Sequence, residues 1–148
     1  MTLTIPAVLI GISITSAPTI GVAQVASDGQ LPTPSVVTGC PKECRVSGGT
    51  TAGNNLFHSL RSFSVPTLGS VIFESSPSIQ RIFSRIAGGE PSQIDGVIQA
   101  NADLFLINPA GIQFGQNAKL DIKGGFIGAT ASALGFIDHL HRNPTTRT

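Results

Sequence analysis

The side chains that could carry chemistry are few and far apart. Glu74, Glu90, Asp95, Asp103 and Asp121 each fall in a different stretch of a 148-residue chain that holds eight acidic residues in all. Glycoside cleavage needs a flanking carboxylate pair, and calcium-assisted sugar chemistry needs a cage of oxygen ligands with a basic residue. Neither constellation is written here, so no catalytic residue is assigned and an enzyme is not expected. His58 has no second titratable residue within its own segment and reads as a polar contact rather than a proton shuttle or ligand. Cys40 and Cys44 lie in Cys40-Pro41-Lys42-Glu43-Cys44. A zinc site would need two more ligands, and His58, His139 and His141 stand at no zinc-module spacing. The cysteines are either a short-loop disulfide, gaining little loop entropy, or two free thiols. No metal or cofactor is expected.

Charged residues make up 11% of the chain, against about 25% in an average soluble domain. Seventeen Gly and ten Pro take much of their place, which means many turns and few solvated helix faces. Net charge is +1, with no basic stripe to track a phosphate backbone, so nucleic acid is not an expected partner. Trp and Tyr are absent. Stacking platforms for bases or sugars are therefore poorly supplied, and no small-molecule substrate is expected.

The run from Ile5 to Ile14 is apolar but too short to span a bilayer. It reads as the hydrophobic part of a signal peptide covering residues 1–23, with small residues at Gly21-Val22-Ala23 and cleavage before Gln24. Export would take Cys40 and Cys44 into an oxidising compartment, where a disulfide can persist. Residues 24–53, rich in Pro, Ser, Thr and Gly, read as a loosely ordered N-terminal lead or cap with Val36-Val37 as one short strand.

From Asn54 short apolar runs alternate with Gly, Asn and Pro: 56–65, 71–73, 79–86, 94–98, 104–107, 112–114, 120–122 and 126–129. Runs this short and this evenly spaced predict strands. Gly88-Gly89, Asn108-Pro109, Gly115-Gln116-Asn117 and Gly124-Gly125 supply the corners between them. Leu104, Leu106 and Asn108 fall on one side of their strand and Phe105 and Ile107 on the other. Strands apolar on both faces are those of parallel sheets, and links too short for crossover helices leave a coil, each turn stacked on the last. Ile79, Ile82, Phe83 and Ile86 keep helix spacing, which predicts a helical first turn before a strand from about Phe83 to Ala87.

Several of these segments resemble a known family. Asn54-Asn55-Leu56-Phe57-His58-Ser59-Leu60 with Phe63-Ser64-Val65 is similar to the motif that opens the N-terminal secretion domain of filamentous-haemagglutinin-type exoproteins, especially cyanobacterial ones. Ile82-Phe83-Ser84-Arg85-Ile86-Ala87-Gly88-Gly89 and Ser92-Gln93-Ile94-Asp95-Gly96 resemble its next two segments. The stretch from Ala102 to Gly115 is similar to the family's most specific motif, and Ala118 to Phe126 to its sequel. Five ordered motifs over about 80 residues are far more specific than one short pattern. The sequence has Ala110 where the family usually has Asn and Asp103 in place of another Asn, and the resemblance fades after Ala133.

The resemblance implies an all-β chain, a right-handed parallel β-helix of roughly three to four coils, incomplete at the C-terminus. It implies a partial secretion domain over residues 54–135 and a patternless tail over 136–148. It also implies export: passage to the periplasm, recognition by the periplasmic domains of a dedicated outer-membrane two-partner-secretion transporter, and threading outward to the cell surface or medium. The membrane is then met only in transit. Asn55, Leu56, Phe57, His58 and Ser59 form the core motif. Asn108, Pro109, Gly111 and Ile112 are either the turn the transporter recognises or a corner that serves its own geometry. Arg85 is expected to pair with Asp95 or Asp103 across stacked coils. The alternatives are a truncated gene fragment, cut by a frameshift or early stop, a free-standing adhesive module, or a polysaccharide-acting enzyme.

Overall fold

The computed structural model describes residues 24–132; the expected signal segment, 1–23, and the tail, 136–148, lie outside the described residues. Within them the chain is all strand, with no helix. Four strands come first: β1 (Gln24–Ser27), β2 (Ser35–Thr38), β3 (Glu43–Gly48) and β4 (Thr50–Ala52). Then come β5 (Asn55–Ser64), β6 (Ser70–Phe73), β7 (Arg81–Ile86) and β8 (Ser92–Ile94). The rest are β9 (Val97–Ala100), β10 (Asp103–Ile107), β11 (Ile112–Phe114), β12 (Lys119–Ile122) and β13 (Phe126–Ala129).

From β3 onward, β4 excepted, the strands fall in turn on three faces and pair parallel with those one coil away, as a β-solenoid requires. The first face stacks β3, β6, β9 and β12, and the second stacks β5, β7, β10 and β13. The third holds β8 on β11, with Val65 bridging to Ile94 above them. Leu56, Ile82, Leu104 and Phe126 lie in one column, so 22 residues separate Ile82 from Leu104 and Leu104 from Phe126. No connection has room for a helix. The column points inward, and with Leu60, Phe63, Val71, Phe73, Ile86, Ile94, Ile98 and Leu106 it fills the interior. On the outer side of the second face Phe57, Phe83 and Phe105 form a second column, ring centroids 5.1 and 4.5 Å apart. Such offset stacks add to the burial energy of the rings.

Three expectations are corrected. Residues 24–53 are ordered rather than loose, though a cap as expected: β3 is a strand of the first coil, and Val25, Cys44 and Val46 are buried in the core. Around it β1, β2 and β4 pair antiparallel, turning the unpaired edge of the solenoid into a cap. β1 and β2 bury one residue each and β4 none, so they show no apolar run. The expected helical turn near Ile79 is a turn from Ser76 to Ile79, and the strand begins at Arg81. The pattern of β7, with Ile82, Ser84 and Ile86 all inward, is the period of a strand. The run 94–98 is two strands split by a corner at Asp95 and Gly96. A Cβ at Gly96 would overlap the carbonyl oxygens of Gly69 and Pro66 one coil away, so only glycine fits there.

Candidate functional site

The turn after β10 is built around Asn108, which is 1% exposed. Its side-chain amide donates to the Glu90 carbonyl at 3.0 Å and to Ser92 Oγ at 2.9 Å, and its Oδ1 accepts the Ala110 N–H at 3.0 Å. The backbone closes the corner: Gly111 N–H donates to the Asn108 carbonyl at 3.0 Å and Ser92 N–H to the Gly111 carbonyl at 2.9 Å. Gly111 sits at φ 126°, in the region that favours glycine. Every donor of the amide is answered, as a buried polar group needs. Asn108 is therefore the rivet between two corners, and what faces solvent is Pro109 and Ala110, with Gly111 and Ile112 half-buried. Of the four expected site residues the structure brings two roles together: Asn108 shapes the turn and Pro109 stands on its tip.

The core motif forms the first half of β5. Leu56 and His58 point inward, Phe57 heads the outer ring column, and Ser59 donates its hydroxyl to Asp28 Oδ2 at 2.6 Å. His58 is 2% exposed, with Nδ1 3.0 Å from Ser35 Oγ on β2 and its ring 5.7 Å from that of Phe73. Nε2 has no partner. Burial pushes its pKa down to about 4, since an imidazolium here would lose its hydration. The side chain is neutral at pH 7.

Cys40 and Cys44 are disulfide-bonded, with Cα atoms 4.4 Å apart, across the turn that joins β2 to β3. Cys44 is buried while Cys40 is exposed. Beside them Arg45 bridges Glu43 at 2.7 Å and Glu74 at 2.8 Å on the surface. Glu74 first and Glu43 second raise the Arg45 pKa above its ordinary value. Arg85 does not pair with Asp95 or Asp103: in register it lies beside Ser59 and Ile107, while Asp103 lies beside Arg81. Asp95 accepts the Thr67 hydroxyl above it and, below, the backbone N–H and side-chain amide of Asn117 at 2.9 and 3.0 Å. These bonds, the Thr67 one foremost, hold its carboxyl below the usual range. Asp103 accepts the Gly125 N–H at 2.7 Å. The signal for both roles was in the sequence, since each Asp is matched about one coil later by a glycine-containing corner, Gly115-Gln116-Asn117 and Gly124-Gly125.

A groove of about 370 Å³ runs along the first face, lined by Ile72, Glu74, Ser75, Gln99, Asn101 and Asp121 among others. Glu74 is engaged by Arg45 and Asn101 by Ser75, so the groove holds no free carboxylate pair of known reach. Among the described residues no group of three or more His, Cys, Asp or Glu could hold a metal ion.

A family model described as the TPS secretion domain matches residues 23–146. The match continues past Ala133, where the separate motifs fade, and includes residues 24–53. The chain is also similar to a heme/hemopexin-binding protein of Haemophilus influenzae, 33% identical over 64 residues, which is 43% of this chain and 7% of that protein. A protein of the same name from another strain is 32% identical over 65 residues, 44% of this chain and 7% of its own length. The match thus spans 7% of the length of these curated relatives. No solved structure matches.

Proposed function

Because the chain belongs to the TPS secretion domain family, we propose that it is the export-targeting N-terminal domain of a larger secreted exoprotein, recognised by the periplasmic domains of a dedicated outer-membrane transporter and threaded outward through it. The observation that carries this reading is the family match over residues 23–146, most of the chain. The fold agrees with it. Its corner polar groups are bonded between coils, Asn108 to Ser92, Asp95 to Asn117 and Asp103 to Gly125. The heme binding in the relatives' name is not carried over. His58, the one histidine among the described residues, is buried and bonded to Ser35.

Within this reading the transporter meets the tip at Pro109 and Ala110, which Asn108 holds rigid from beneath. A preorganised turn loses little entropy on binding. The test is export of the full chain from cells with and without the cognate transporter, together with its retention on the transporter's periplasmic domains. Export is expected only with the transporter; equal export without it would overturn the reading. Replacing Pro109 with Asp and Ala110 with Lys should weaken retention about tenfold or more, the equivalent of one lost anchor contact of about 1.4 kcal/mol. Thermal unfolding should stay unchanged, because both positions are exposed. Asn108→Val should do the opposite, costing about 1–3 kcal/mol by stranding its buried partners. Undiminished retention of the tip variant would make this turn a corner and nothing more.

A further inference from the structure

The contacts of His58 reach beyond its own strand. Ser35 is the one buried residue of β2, and its Oγ meets His58 Nδ1 at 3.0 Å while accepting the Ser59 N–H at 3.3 Å. One side chain of the cap is thereby tied to two consecutive residues of the first full coil. Gly49 closes on the ring from the side: a Cβ there would lie 2.9 Å from Nδ1 and 3.0 Å from Cε1. Below the ring, in register one coil down, lies Ser84. His58 Nε2 and Ser84 Oγ are both buried and both without a partner.

We propose that His58 is an acid-sensitive pin: as a neutral ring it fastens the antiparallel cap to the first coil, and on taking up a proton it lets the cap go. A neutral imidazole can accept the Ser35 hydroxyl proton at Nδ1, leaving that Oγ free to accept from Ser59. An imidazolium carries N–H on both nitrogens: it can only donate to that Oγ, and it leaves its charge and its Nε2–H buried without a partner.

Nothing nearby compensates the charge. Neither β2 nor β6 carries a charged residue, and β1 and β4 carry none. On β7, Arg81 and Arg85 are exposed, on the side of the strand opposite Ser84. On β3, Glu43 and Arg45 face solvent and bond each other, and on β5 itself Arg61 is exposed. Asp28 is held by the Ser59 hydroxyl, on the outer side of β5. Proton uptake is therefore opposed inside and unopposed once the ring reaches water.

The sign follows from linkage. Burial holds the seated ring's pKa at about 4 instead of the ordinary 6.5, and if cap release opens the ring to water, attachment is at full strength above pH 6.5 and weakens as the pH falls through that window. Between pH 7.5 and pH 5.0 the opening equilibrium should rise about 30-fold. Released, the cap leaves β3 and β5 as an open edge to which other strands can add. This device does not depend on the export reading.

Hydrogen exchange of the full chain, corrected for intrinsic rates, measures it. Amides of β1 and β2 should lose about 30-fold in protection between pH 7.5 and 5.0 while those of β7 and β10 hold theirs. His58→Gln, which cannot take a proton, should abolish the difference. If that variant does not fold, ring titration of the unaltered protein by NMR decides, since the seated ring must stay neutral down to about pH 5. Cap protection that ignores pH, equal loss in β7 and β10, acid response retained in His58→Gln, or a folded ring titrating at its ordinary value would each overturn the proposal.

Discussion

Asn108 and His58 are both polar side chains sunk in an apolar interior, yet their partners differ in kind. Asn108 meets three groups that satisfy it, so it stiffens a corner. His58 meets one, so it remains a group whose protonation matters. Leu68 is the outlier at the surface. It holds φ at 64° and is 92% exposed, in the turn where Gly69 N–H bonds to the Pro66 carbonyl at 2.9 Å. A leucine gains no burial there to offset the left-handed backbone, which costs roughly 1–2 kcal/mol for a residue with a Cβ. Leu68→Gly should relieve that strain, less the added chain entropy of glycine in the unfolded state. We expect a net gain of about 0.5–1 kcal/mol, read as a higher midpoint in urea at unchanged slope.

At the scale of elements, the runs from 104 to 107, 112 to 114 and 126 to 129 reappear as β10, β11 and β13, because in a solenoid each strand is a short apolar run between corner residues. What stayed hidden was hidden for a physical reason. β3 buries Cys44 and Val46 between exposed Glu43 and Arg45, and a four-residue alternation beside a cysteine turn is too weak a pattern to stand out from a Pro- and Ser-rich stretch. The side of Asn108 was legible, since it shares the face of Leu104 and Leu106, but its partners on the neighbouring corner, the Glu90 carbonyl and Ser92 Oγ, were not, because Asn-Pro suits a corner whatever its amide bonds. Corners also carry the register. Gly96→Ala would force a Cβ into the Gly69 and Pro66 carbonyls, whereas at Gly128 the nearest atom would be 3.5 Å away, an ordinary contact. The first substitution should destabilise by about 1–3 kcal/mol. The second should be neutral or stabilise by up to about 1 kcal/mol through the unfolded chain. Comparing the two urea midpoints checks this, and equal effects would show that the corner at Gly96 can relax.

Across the whole molecule the two ends of the solenoid are finished differently. At the first coil β1, β2 and β4 cover the edge with antiparallel pairing, and the core beneath is closed. At the other end, among the described residues, β11, β12 and β13 are each paired on one side only. Phe114, Leu120 and Ile127 are 48%, 44% and 48% exposed there. Parallel strands with free N–H and C=O groups and apolar side chains are a template for further pairing, which solenoids elsewhere blunt with polar caps. Because each coil rests only on its neighbours, stability should also fall toward this end, with β12 and β13 exchanging their amides before β7 and β10. The chain on its own should consequently self-associate through that edge. Size-exclusion chromatography with light scattering should show a concentration-dependent rise in mass, and Leu120→Lys with Ile127→Lys should return the chain to monomer by placing charge on the edge without touching a buried residue. A monomer at every concentration, melting in a single cooperative step, would mean that this edge is already covered.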